Sequence, residues 1–117
     1  MYKVIKIEDK QIPMMSNGGT LCEYRRFFNR DMIGDYLNLE LCLNKREFDR
    51  FDSLSLARMM WVCAYRADKK IPEFEQWIEQ FEGPFSFFAA LEEFSKFLGA
   101  GMQTNVKPKK KTSQKRR

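Results

Sequence analysis

Three cysteines, Cys22, Cys42 and Cys63, are the side chains best suited by type to nucleophilic or metal chemistry. Their setting works against both. There is no CxxC pair and no histidine. A tetrahedral zinc site of Cys and His alone therefore lacks ligands within one chain, and a cysteine nucleophile has no imidazole base. The odd count also argues against a disulfide framework, so three reduced, mostly buried thiols are expected. Without histidine, acid–base work at neutral pH falls to carboxylates. The close pairs Glu79/Glu82 and Glu92/Glu93 fall at solvated helical positions. No GxSxG, HExxH, Walker A or GxGxxG motif occurs. Asn17-Gly18-Gly19 is too short to cradle a phosphate and is expected to be a turn. The sequence points to a protein that is not an enzyme, with no catalytic residue, no cofactor and no metal.

The charge is as uneven as the chemistry is sparse. The net charge is +5, but Lys107, Lys109, Lys110, Lys111, Lys115, Arg116 and Arg117 supply seven of the 21 basic groups, and their segment holds no acid. The remaining body, with 16 acidic residues, is close to −2. Residues 103–117 carry one Val and no aromatic, and are expected to be a disordered basic tail. A lysine-rich tail can neutralise phosphates, yet this one has no ring for base stacking, and the acidic body opposes wrapping. Nucleic acid is thus a disfavoured partner, kept as the alternative function: a small nucleic-acid-binding accessory protein acting through the tail.

The elements that must position any site read as follows. Tyr2–Ile7 and Gln11–Met15 flank three polar residues and predict a β-hairpin, with Pro13 limiting the second strand. Thr20 and Glu23 form a T-x-x-E pattern, which predicts a capping box and a helix from about Leu21, with Leu21, Tyr24 and Phe28 on one face and Arg25, Arg26 and Arg30 outside it. Asp31–Leu43 is ambiguous: Met32, Ile33, Tyr36 and Leu37 look helical, whereas Leu39, Leu41 and Leu43 alternate. A helix fraying near Leu39 is expected, then a charged linker over 44–52 with Phe48 and Phe51 inward. Ser53 is placed as the cap of a central helix with Leu56, Met59, Met60, Cys63 and Ala67 inward and Arg58 and Arg66 outward. A short acidic helix follows over 73–82. A last helix runs from Pro84 to the Gly99-Ala100-Gly101 break, with Phe87, Leu91, Phe94 and Leu98 on one face. The fold class is mainly α, a single compact domain of four to five helices over 1–102 with an N-terminal hairpin, before the tail over 103–117.

Eleven Phe, two Trp and four Tyr in 117 residues are many for so small a core, and a surplus apolar face marks an interface. Phe74, Trp77, Phe81, Phe85 and Phe88 are the candidate client-binding residues. Met14, Met15, Met59 and Met60 would suit an adaptable surface of the kind a chaperone needs.

One block resembles a known family. Residues Ile5 to Thr20, with Ile12-Pro13-Met14, Ser16 and Asn17 followed by a small-residue turn, lead into Tyr24-Arg25-Arg26-Phe27-Phe28-Asn29-Arg30-Asp31. This pattern, with Phe74-Glu75-Gln76-Trp77-Ile78 further on, is similar to the tail assembly chaperones of long-tailed phages and prophages of Gram-positive bacteria. It covers residues 2–35 well and 56–81 loosely, and its motifs mark a fold rather than catalysis. Cys22 departs from the polar or proline residue expected there.

The resemblance implies a protein that coats the long, hydrophobic, helical tape measure protein, keeps it soluble, and releases it as tail tube protein polymerises. It implies self-association along the client, action in the host cytoplasm, and exclusion from the mature virion. It also implies a longer frameshifted product, for which an adenine run encoding Lys109-Lys110-Lys111 would serve. No stretch approaches the ~20 apolar residues of a membrane span, and no membrane role is expected. A structural tail or head-completion component is a third possibility.

Overall fold

The computed structural model describes residues 1–50 and 52–106, the side chains of Phe48 and of 101–106 excepted. The chain runs β1 (Tyr2–Ile7), β2 (Lys10–Met15), α1 (Gly18–Phe28), α2 (Met32–Lys45), a 3-10 turn (Phe48–Arg50), α3 (Ser53–Ala67), α4 (Phe74–Glu79), α5 (Ser86–Ala89) and α6 (Leu91–Val106). The fold is mainly helical with an N-terminal antiparallel hairpin, as the sequence predicts. The expected inward placement of Phe48 and Phe51, and the seven basic tail residues, lie outside the described residues. The tail was expected from residue 103, yet 103–106 belong to α6.

The hairpin pairs Tyr2 with Met15 and Ile7 with Lys10. Period-2 alternation puts Ile5, Ile7 and Met14 into the core, while Tyr2 and Val4 face outward beside Pro13. Glu8 turns the chain at φ 59°. Its carboxylate accepts from the Gly83 N–H at 2.9 Å and from the Ser86 hydroxyl. The Ser86 bond, then the Gly83 N–H, holds the Glu8 carboxyl below its ordinary range.

The first helix starts earlier than the T-x-x-E pattern suggests. Asn17 is the cap: its Oδ1 accepts from the Gly19 N–H at 2.9 Å, and its own N–H donates to Thr20 Oγ1 at 3.0 Å. Thr20 closes the box from the third helical position. Asn is the stronger cap, and the two glycines are the first turn rather than a break. A Cβ on Gly19 would sit 2.9 Å from Arg66 Nη2, so a glycine is what lets that guanidinium close over the helix end.

Glu23, freed from capping, is 5% exposed. It accepts from Arg66 Nη1 at 3.2 Å and Lys69 Nζ at 2.7 Å. Arg66 also donates to Asn17 Oδ1 at 2.7 Å. The end of α3 is thereby tied to the start of α1. Arg66 and Arg58, expected to face outward, are half-buried; Arg58 pairs with Asp52 at 3.1 Å. Leu21, expected inward, is 41% exposed, because the buried stripe of α1 runs through Thr20, Glu23 and Tyr24 and leaves Leu21 about 100° off it.

Asn29 ends α1 at φ 55°, and Asp31 caps α2 through the Ile33 N–H. Asp35 fastens the corner, accepting from Arg30 Nε and Nη2 at 2.9 and 2.8 Å and from the Tyr24 hydroxyl at 2.6 Å. Burial raises the Asp35 carboxyl, but the bonds from Arg30 and Tyr24 outweigh it and the net shift is downward.

The expected fraying near Leu39 does not occur, and α2 continues to Lys45. Leu39 and Leu43 lie on the inner side and Leu41 on the outer, so the alternation belongs to a helix that is apolar on two sides.

Helix α3 is the central one, with nine buried residues between Ser55 and Ala64. Its cap is Asp52, which accepts from the Leu54 N–H at 3.0 Å, not Ser53. The expected last helix is two pieces. Phe87 leaves the α6 face to pack on Trp77 and Phe81, at ring-centroid distances of 5.9 and 5.2 Å, and the chain turns at Ala90 before α6. Gly99 does not end α6. A Cβ there would lie 2.7 Å from Tyr36 Oη, so its role is the close approach of α6 to α2. Beside it, Ser95 donates to Glu40 at 2.6 Å.

Glu23→Gln is expected to cost about 2 kcal/mol at pH 7, less than a fully enclosed pair because Lys69 stays half in water. Burial raises the Glu23 carboxyl, but Lys69 and Arg66 outweigh this and hold it below 4.5. Its stabilisation is therefore complete above pH 4.5 and lost as pH falls through the lowered value. Urea denaturation from pH 7 to pH 3 should show the two proteins converging in acid.

Candidate client-binding surface

The five aromatic residues singled out in the sequence do not form one surface. Trp77 and Phe81 are 2% and 7% exposed and belong to the core. Trp77 in α4 and Phe81 just beyond it meet edge to face at 5.1 Å, and both pack on Phe87. Contrary to the expectation from sequence, both are packing residues and present no surface to a client. Phe74 is half-buried. Phe85 and Phe88 are open, Phe85 at 77%. The expected methionine surface does not form: Met14, Met59 and Met60 are fully buried, and of the four only Met15 reaches partly outward. They sit where the hairpin meets α3, filling that contact.

A different aromatic group reaches the surface. Trp61 of α3 is held by its Nε1–H donating to the Pro72 carbonyl at 2.9 Å. Tyr65 stacks on it at 5.0 Å and 13°. Phe27 and Phe28 of α1 meet Trp61 edge-on at 5.0 and 5.7 Å. Phe74 of α4 meets Phe28 at 5.2 Å. Edge-to-face contacts of this kind add about 0.5–1.5 kcal/mol each beyond burial. Phe27 is 45% exposed, on a rigid support of stacked rings. Lys69 lies 4.5 Å from the Tyr65 centroid and joins the patch to the Glu23 network.

The sequence signal for this patch was the adjacent pair Phe27-Phe28. Neighbours on a helix point about 100° apart, and here Phe28 is half-buried while Phe27 is exposed. What the sequence could not give was the meeting with Trp61 and Tyr65.

Chemically the patch can receive apolar side chains and little else. Among the described residues, no cluster of three or more His, Cys, Asp or Glu could hold a metal ion. The three thiols are free, with Cys22 exposed and Cys42 and Cys63 buried. Burial pushes the Cys63 thiol up to about 12, which leaves it unreactive at neutral pH. An open notch of about 360 Å³ lies between the starts of α1 and α2, lined by Leu21, Cys22, Arg25, Arg30, Asp31 and Met32. No described helix is long and apolar enough to cross a membrane.

Core and surface aromatics should separate cleanly in denaturation. Trp77→Ala is expected to cost about 3–5 kcal/mol, whereas Phe85→Ala should stay within about 0.5 kcal/mol of the parent. Guanidinium titrations followed by far-UV circular dichroism would measure both.

No family model, no curated protein and no solved structure matches the chain.

Proposed function

We propose that this protein is an assembly chaperone that holds apolar helical segments of a client, and that the client is the tape measure protein of a long-tailed phage. The observation that carries the first half is Phe27, a half-exposed ring braced by Trp61 and Tyr65. A rigid apolar anchor at the surface suits capture of apolar side chains at small entropic cost. Phe85 extends the exposed aromatic surface elsewhere on the chain. Binding through such anchors is weak per copy and gains strength from many copies along one client.

The second half rests on the resemblance. The residues that carry it sit at the joints of this fold: Asn17 caps α1, Asp31 caps α2, and Tyr24 and Arg30 hold Asp35. They are the side chains a shared fold would need, which supports a likeness of architecture. On this proposal the protein works in the host cytoplasm, hands its client to polymerising tail tube protein, and stays out of the virion.

Co-expression with the tape measure protein and a pull-down through a tag on this chain is the test. The expected result is a soluble complex with several copies per client, and a loss of about tenfold or more in recovered client for Phe27→Asp. A client that stays insoluble beside the parent protein would overturn the proposal. Salt-sensitive nucleic-acid binding that disappears on deleting residues 107–117 would favour the alternative instead.

A further inference from the structure

Helix α2 exposes more apolar surface than a solvated helix needs. Its inner side is Met32, Tyr36, Leu39 and Cys42, all buried. Its outer side presents Ile33, Leu37 and Leu41, at 39%, 57% and 48% exposure. These are i, i+4 and i+8, one stripe about 12 Å long. The other exposed positions of α2 are Gly34, Asn38, Asn44 and Lys45, so the outer face holds no charge before Lys45. Gly34 costs the helix about 1 kcal/mol relative to alanine; on the outer face it also lets another backbone come close.

The charges at the two ends of the stripe are opposite. Asp31 is exposed at the start. Lys45 and Arg46 are exposed at the end, and no acid among the described residues pairs with either. Leu37 lies midway between Ile33 and Leu41. A stripe with a central leucine, equal aliphatic arms and opposite charges at its ends complements itself when reversed. The geometry points to a second copy of this chain as the occupant, its α2 packed antiparallel on a twofold axis through Leu37. Leu37 then meets its own counterpart, each Ile33 meets a Leu41, and each Asp31 lies within reach of the other copy's Lys45 and Arg46. Parallel pairing would bring like charges together at both ends, and it opposes the helix dipoles less well.

One three-turn face buries less than the ~1,200 Å² of a stable interface. The dimer is therefore weak, forming in the micromolar range, and it needs no client. The resemblance implies self-association along the client; the α2 pairing adds the surface and its register, and because it needs no client, its failure would leave client capture untouched.

The experiment is sedimentation equilibrium of the full chain from about 1 µM to about 1 mM. A reversible monomer–dimer equilibrium is expected, with Leu37→Glu weakening it about 100-fold or more while leaving the circular dichroism spectrum and melting unchanged. In a Cys22→Ser background, Leu37→Cys should cross-link to itself on mild oxidation. Ile33→Cys should not, but should cross-link when mixed with Leu41→Cys. A parent protein that is monomeric throughout would overturn the proposal, and so would a dimer untouched by Leu37→Glu. Self-cross-linking by Ile33→Cys would overturn the antiparallel arrangement.

Discussion

Helix α3 has almost no solvent face, and the rest of the chain is arranged by the need to cover it. Nine buried residues on one helix are more than any single neighbour can enclose. The hairpin supplies Ile5, Ile7 and Met14, α1 supplies Tyr24, and the C-terminal segment supplies Trp77 and Phe94. Covering α3 from several sides also brings its two arginines under neighbouring elements. Each then needs a carboxylate, and Glu23 and Asp52 provide them. The ion pairs follow from the packing: they are the condition under which a helix so enclosed can still carry charge.

Much of this was legible in the sequence because it follows from short-range rules. The hairpin appears as alternation at Tyr2–Ile7, and the central helix appears as the stripe through Leu56, Met60 and Cys63. The misplacements have local causes. Thr20 and Ser53 are capping types, but the cap position is held by Asn17, three residues before the one, and by Asp52, immediately before the other. Leu39, Leu41 and Leu43 alternate because α2 is apolar on two sides, and period alone does not distinguish that from a strand. Gly99 looks like a stop signal but is a contact with Tyr36 from a distant helix. Which aromatic residues stay outside was the least legible feature. Trp77 and Phe27 take their settings largely from partners 10 to 38 positions away, Phe87 for the first and Trp61 and Tyr65 for the second.

The exposed apolar features include a braced aromatic patch on α1 and α3, an aliphatic stripe on α2, and Phe85 and Phe88 near the start of α5. Rings held edge to face by other rings offer stiffness and polarisable surface. Aliphatic side chains along a helix offer register. The first suits grasping apolar side chains of varied sequence, the second suits one repeating geometry. On the proposed client capture and the inferred α2 pairing, keeping these surfaces apart lets one be filled while the other stays open.

The clasp between Glu8 and the Gly83–Ser86 turn has a consequence for the order in which the molecule can be completed on the ribosome. The hairpin emerges before the helices that cover it, yet its clasp lies more than 70 residues downstream. A two-stranded hairpin has little stability alone. Its buried side chains Ile5, Ile7 and Met14 wait for α3, and its turn is fastened only when Ser86 has left the exit tunnel. The hairpin is thus translated before the helices that cover it yet locked only after Ser86 is made, and a chain cut before residue 83 would leave it unsecured.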